Sequence, residues 1–174
     1  MLVKTAIYSG FVERAKVVDF SDEGVLNYAR ASGCENGIRM LAAVTYGEVG
    51  DDRYPVEEWV AVAWSIRNRK EDSRWPNAYE DVITQSGQYD AVNKPKYNTA
   101  MNYYKNTNSP TPSADERRIM LGCLRIAIGV RFDIIYTTDE SKGANSFHNN
   151  GVCNCTATPC VNEPPRRKQR GIWC

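Results

Sequence analysis

The sequence predicts a mainly α-helical domain, and three observations predict it. Apolar residues recur at three- and four-residue spacing along successive segments. Ser and Glu stand at capping-box spacing ahead of two of those segments. Strand-like runs are few and short, the main one lying near residues 132–149. With 174 residues, 42% hydrophobic and 25% charged, the chain has an ordinary globular composition and enough length to bury a core. Residues 1–150 read as a single domain and 151–174 as a tail rich in Cys, Pro and Arg.

The elements follow in order. In the opening, "VVDF" reads as a strand and "DEGVLNYARAS" as a helical turn or two. "SGCENGIRMLAAVTYGE" offers Ser32 and Glu35 as a capping box, then places Ile38, Leu41, Ala42 and Thr45 on one face. "YPVEEWVAVAWSIRNRK" begins with Pro55, tolerated in a first turn, and aligns Val56, Val60, Ala63, Trp64 and Arg67 on a face that is mostly core. "NAYEDVITQ" gives a short helix and "KYNTAMNYYKN" another. "SADERRIMLGCLRIAIG" has a second box, Ser113 with Glu116, an apolar face through Met120, Cys123, Leu124, Ala127 and Ile128, and Gly129 as its stop. "FDIIYTTDESKGANSFHN" reads as a small extended hairpin around a polar turn.

A formal net charge of +1 argues against nucleic acid as a partner, and no apolar run reaches the length of a membrane span. The N-terminal stretch lacks the apolar region of a signal peptide, which leaves three readings open: the protein stays inside, leaves by a route that reads no such signal, or has had its leader removed. The six cysteines, Cys34, Cys123, Cys153, Cys155, Cys160 and Cys174, are disulfide candidates, with the pairing open. The tail has no C-x-x-C pair, which makes a structural zinc site the weaker reading. No metal or organic cofactor is expected.

One residue sits against the usual rule. Glu48 ends the apolar helix of "LAAVTYGEVGDD", where the negative end of the helix repels a carboxylate. A general acid must hold its proton near neutral pH, and both burial and a helix C-terminus raise a carboxyl pKa. The position that is poor for stability is therefore right for proton donation. Around it in sequence lie side chains suited to sugars: Trp64, Trp75, Tyr79 and Tyr89 offer ring faces, and Asn68, Gln85 and Gln88 offer amides for hydroxyl and N-acetyl groups. Trp64 is expected in the core. His148, the sole histidine, reads as a structural residue first.

The ordered set Tyr46-Gly47-Glu48, Ala61-Val62-Ala63, Asn68-Arg69, Pro76-Asn77, Val82-Ile83, Gln85 with Gln88-Tyr89, and Gly143-Ala144 with Phe147-His148-Asn149 resembles the SleB-type cell-wall hydrolases over about residues 36–150. That resemblance implies a lysozyme-like or lytic-transglycosylase-like helical domain that cleaves the glycan strands of peptidoglycan in the bacterial envelope. It implies Glu48 as the catalytic residue and Tyr46, Asn68, Gln85, Gln88, Tyr89, Phe147, His148 and Asn149 as substrate-binding candidates. The inserted "NKPKYNTAMNYYKNTNSPTPS" and the cysteine-rich tail have no counterpart in that pattern.

A lytic transglycosylase needs one carboxyl, acting as acid and then base between N-acetylmuramic acid and N-acetylglucosamine. A muramidase needs a second carboxylate, for which Asp51, Asp52 and Asp90 are available. Two readings of other kinds compete: a Cys/His cell-wall peptidase or amidase using Cys34, next to a helix N-terminus, with His148, and a non-catalytic carbohydrate-binding module. Delivery as a phage lysin or injected toxin fits the cysteines without a leader, and a toxin would call for an inhibitor or immunity protein in its producer.

Overall fold

The computed structural model describes residues 19–107, 111–133, 147–148 and 172–173. Six α-helices form in chain order: α1 Asp22–Arg30, α2 Asn36–Val49, α3 Val56–Glu71, α4 Tyr79–Ile83, α5 Pro95–Lys105 and α6 Ala114–Arg131, with a 3-10 turn at Asp90–Asn93 between α4 and α5. The described structure is mainly helical, as the periodicity predicts.

α2 is the central element. It packs against α3, α4, α5 and α6 at once, so its residues from Met40 to Tyr46 are buried without interruption. A helix that is apolar on all sides is stable only when enclosed in this way. α6 is the second core helix, buried from Ile119 to Leu121 and again from Ile126 to Val130. Polar groups in this interior bond locally: Thr45 Oγ1 donates to Leu41 O at 2.9 Å, and Tyr104 OH donates to Met120 O at 2.8 Å.

α1 is longer than the sequence suggested. Ser21 caps it by accepting from Gly24 N–H at 3.0 Å, and Val25, Leu26 and Ala29 bury its inner face. Arginines from other helices fasten it: Arg39 Nε donates to Ala29 O at 2.6 Å and Arg125 Nε to Phe20 O at 2.9 Å. Arg125 also pairs with Asp22.

Several expectations are corrected. The Ser113–Glu116 capping box is present, with both reciprocal bonds, but the Ser32–Glu35 box is not. Glu35 itself stands at the N-cap of α2 and makes no side-chain cap bond; its carboxylate pairs with Arg131 at 2.8 Å instead. Gly129 does not stop α6, which runs on to Arg131 because Ile128, Gly129 and Val130 are enclosed in the core. Val56 is 55% exposed rather than core. Arg67, placed on the core-facing side by spacing, lies half-buried, pairs with Glu71 and Asp133, and stacks on the Trp64 ring at 4.6 Å.

Of the predicted hairpin, the first run and the turn lie outside the described residues apart from Phe132 and Asp133, which close α6. From the second run, Phe147–His148 pair antiparallel with Ile172–Trp173, with Phe147 opposite Trp173 and His148 opposite Ile172. "VVDF" falls outside the described residues except for Asp19 and Phe20, which are not in a strand. Cys34 and Cys123 are buried thiols, not the bridged cysteines expected of them. Burial pushes the Cys123 thiol far above its usual range. Cys153, Cys155, Cys160 and Cys174 lie outside the described residues. Among the described residues no helix is long and apolar enough to cross a membrane.

Candidate active site

The site begins at the C-terminal end of α2, where three consecutive residues have different tasks. Tyr46 points into the core and is only 2% exposed. Gly47 faces the 3-10 turn so closely that a β-carbon on it would stand 2.6 Å from Ala91 Cβ. Glu48 is half-buried beside the same turn, and its Oε1 accepts the Ala91 N–H at 2.9 Å. Oε2 makes no hydrogen bond among the described residues. The absent side chain of Gly47 is what allows the turn to come near enough to cover Glu48.

Burial raises the Glu48 pKa above the ordinary carboxyl value. The Ala91 N–H and Lys94 act against that shift, Asp90 acts with it, and burial wins. The carbonyl end of α2 adds a contribution of the same sign as burial. The cation usually found at a helix C-terminus comes here from another element: Lys96 Nζ of α5 donates to Gly50 O at 3.2 Å and lies 5.3 Å from the Tyr46 ring centroid.

A second cluster holds the segment that leads into this turn. Arg69 of α3 is 4% exposed. Its guanidinium lies 4.3 Å from the Trp75 ring centroid and 5.6 Å from that of Tyr89, and it donates to Gln88 Oε1. Gly87, at φ 73°, supplies the left-handed backbone that turns the chain just before Gln88. Tyr89 is half-buried, and burial pushes its hydroxyl up to about 12; Arg69 pulls it down and Glu48 pushes it up. Tyr89 therefore feels both the guanidinium and the carboxyl, and its hydroxyl stays protonated at neutral pH.

The structure thus brings Glu48, Gln88 and Tyr89 into one neighbourhood. Gln85 is half-buried, and its Oε1 is enclosed with no hydrogen-bond partner among the described residues. Asn68 precedes Arg69 on α3 and is half-buried. Tyr46 and Tyr79 do not offer ring faces to a ligand, because both are enclosed in the core. Phe147 and His148 are placed only by their backbone pairing, and Asn149 lies outside the described residues. Arg69 was legible as part of an Asn-Arg pair but not as a buried cation. The signal for it is the pair of aromatics, Trp75 and Tyr89, that stack on it from distant positions.

Of the other candidate carboxylates, Asp51 and Asp52 are engaged elsewhere and Asp90 faces solvent beside the turn. Asp51 is held down to about 2 by the Arg53 guanidinium, which it accepts at 2.9 and 2.7 Å. Asp52 pairs with Arg118 at 2.8 Å. Asp90 is 84% exposed and 3.9 Å from Lys94. Cys34 lies in the α1–α2 connection, at the opposite end of α2 from Glu48. At 1.5 Å per residue the two are separated by about 20 Å. Among the described residues no group of three His, Cys, Asp or Glu converges on a metal site.

Fold and site together define a mainly helical domain with a half-buried glutamate at the end of its central helix. The sequence profile of the cell wall hydrolase family matches residues 37–166, and the chain belongs to that family. It is thereby an enzyme of the class that acts on peptidoglycan, and the resemblance carried by the motifs is borne out. The match runs past residue 150 into the cysteine-rich segment. Among solved structures the chain is similar to the catalytic domain of the Bacillus cereus SleB protein, at 20% identity over 84% of this chain and 95% of that one, with a TM-score of 0.49. No curated protein sequence matches.

Proposed function

We propose that the chain cleaves the glycan strand of peptidoglycan as a lytic transglycosylase, acting between N-acetylmuramic acid and N-acetylglucosamine. The observation that carries this reading is Glu48: half-buried, raised in pKa by that burial, and tied to the Ala91 N–H through one oxygen only. The bonded Oε1 fixes the carboxyl plane, and Oε2 is left to carry the proton. Glu48 passes that proton to the glycosidic oxygen as the C1–O bond breaks and positive charge develops at C1. The resulting carboxylate then takes the proton of the muramic acid 6-hydroxyl as its oxygen closes onto C1. The product is a 1,6-anhydro sugar, and Glu48 ends protonated.

Asn68, Gln85, Gln88 and Tyr89 are the substrate-binding residues in this reading, with Phe147, His148 and Asn149 assigned by the family pattern. Tyr46 supports Glu48 from the core. The enzyme acts in the bacterial envelope. Muramidase activity is the second reading, favoured by one observation: Asp90 acts on the charge of Glu48, so a second carboxylate lies within electrostatic reach.

The test is digestion of purified peptidoglycan by wild type, Glu48→Gln and Cys34→Ser, with products read by mass spectrometry. Anhydromuropeptides from wild type, reduced at least about 100-fold in Glu48→Gln, support the proposal. Reducing-end sugars lost with the same substitution make the enzyme a muramidase. Peptide-bond cleavage lost with Cys34→Ser overturns the glycosidic reading.

A further inference from the structure

We propose that Arg69 is the positioning residue for the catalytic glutamate, acting through the Gln88–Ala91 segment; this rests on the reading of Glu48 as the acid. Arg69 touches neither substrate nor the reacting carboxyl in this role. Its guanidinium is stacked against Trp75 on the Pro76-Asn77 turn and against Tyr89 on the approach to the 3-10 turn. It is also bonded to Gln88, one residue earlier. Only Asp90 separates Tyr89 from Ala91, whose N–H meets Glu48. The segment from Gln88 to Ala91 is thus gripped at one end by a buried cation from α3 and at the other by the carboxyl it covers.

The chemistry favours a cation at this place. Burying a guanidinium is costly unless its charge is met by good partners, and aromatic faces with a side-chain carbonyl supply them. Arg69 belongs to α3, a long helix packed on α2 and α6. The grip therefore ties a loop to the rigid frame that also carries Glu48. Gln88 is exposed, and Tyr89 is half-buried against the hydrophobic core, so the grip on Gln88 adds to the packing that keeps this segment down.

Releasing the grip has a consequence that a loss of general stability does not. Lys94, Asp90 and Tyr89 are the titratable groups facing Glu48, and all three lie on or beside this segment. If the segment lifts, Glu48 loses burial first, and its pKa falls towards the ordinary carboxyl value. The high-pH limb of the activity profile, which reports the protonated acid, then moves to lower pH.

The experiment compares wild type, Glu48→Gln, Arg69→Met, Trp75→Leu and Trp75→Phe on soluble peptidoglycan fragments, recording kcat, KM, pH profiles and melting temperature. Arg69→Met and Trp75→Leu are expected to lower kcat at least about tenfold, as for a misplaced catalytic group, with KM within about twofold. Both shift the high-pH limb downward, and Trp75→Phe, which keeps a ring over the guanidinium, restores it. A wild-type kcat and limb in Arg69→Met, or in Trp75→Leu where the arginine variant fails to fold, overturns the proposal. So does a rise in KM alone, which would make Arg69 an aid to substrate binding. Undiminished cleavage by Glu48→Gln sinks the acid reading instead, so the two failures are told apart.

Discussion

Gly47 and Ala91 are packed so closely that a β-carbon on the glycine would stand 2.6 Å from the alanine's own. The glycine is helical, so its role is space and not backbone freedom. One absent methyl group decides whether the 3-10 turn can reach Glu48.

Gly47→Ala is accordingly expected to push the turn outward, cost about 1–3 kcal/mol in stability as overpacking does, and lower glycan cleavage at least about tenfold. Denaturant unfolding and turnover of the variant check both effects. Wild-type activity in a folded Gly47→Ala protein would show that the close approach is irrelevant to the chemistry.

Glu48 also makes a stability statement. Its pKa in the folded protein is raised by burial above the ordinary carboxyl value of 4.5, so the folded state holds the proton to higher pH than the unfolded chain does. Its contribution is fully present below about 4.5 and is lost as pH rises through the raised value. Glu48→Gln removes that dependence. The variant should melt higher than wild type at pH 7.5, with the gap closing at pH 4; melting curves at the two pH values decide it.

Glu58 offers a parallel away from the site. It is 7% exposed on α3, its Oε2 is enclosed with no hydrogen-bond partner among the described residues, and burial raises its pKa. Its place in the first turn of α3 favours a negative charge, but the raised pKa shows that desolvation wins. Glu58→Met should stabilise the protein above the ordinary glutamate range while leaving glycan cleavage unchanged. A lower melting temperature at pH 7.5 would show that the carboxylate is better served than its surroundings indicate.

Cys34→Ser bears on the rival chemistry. The thiol is buried and directs its hydrogen to Glu35 O at 3.5 Å, about 20 Å along α2 from Glu48. The substitution should leave anhydro-sugar release within about twofold of wild type, because serine makes the same local bond. A loss of activity in a folded variant would reopen the cysteine reading.

The helices were legible because their apolar periodicity is local. What escaped the sequence was decided by distant partners. Ser32 and Glu35 had capping-box spacing, but Arg131 claims the Glu35 carboxylate from 96 residues away. Gly129 is a helix stop by propensity, yet tertiary enclosure carries α6 through it. At the site, Glu48 could be singled out because a carboxylate at a helix C-terminus conflicts with the local rule. Tyr46 and Tyr79 show the opposite case, since composition marks an aromatic as useful without saying which way it faces. Arg69 needed two rings and an amide, Trp75 from the α3–α4 connection with Tyr89 and Gln88 from the α4–α5 connection, that come together only when both are packed on α3.

The arginine hooks on α1 set where this protein can be cut. The family match begins at residue 37, after α1 has ended, and an expression boundary drawn from it would discard residues 22–30. That truncation would strip Arg39 and Arg125 of the carbonyls they hold and open the seat of Val25, Leu26 and Ala29 to water. The minimal unit that can be produced as a well-behaved fragment therefore starts no later than Phe20, just ahead of the Ser21 cap and upstream of the family's own border.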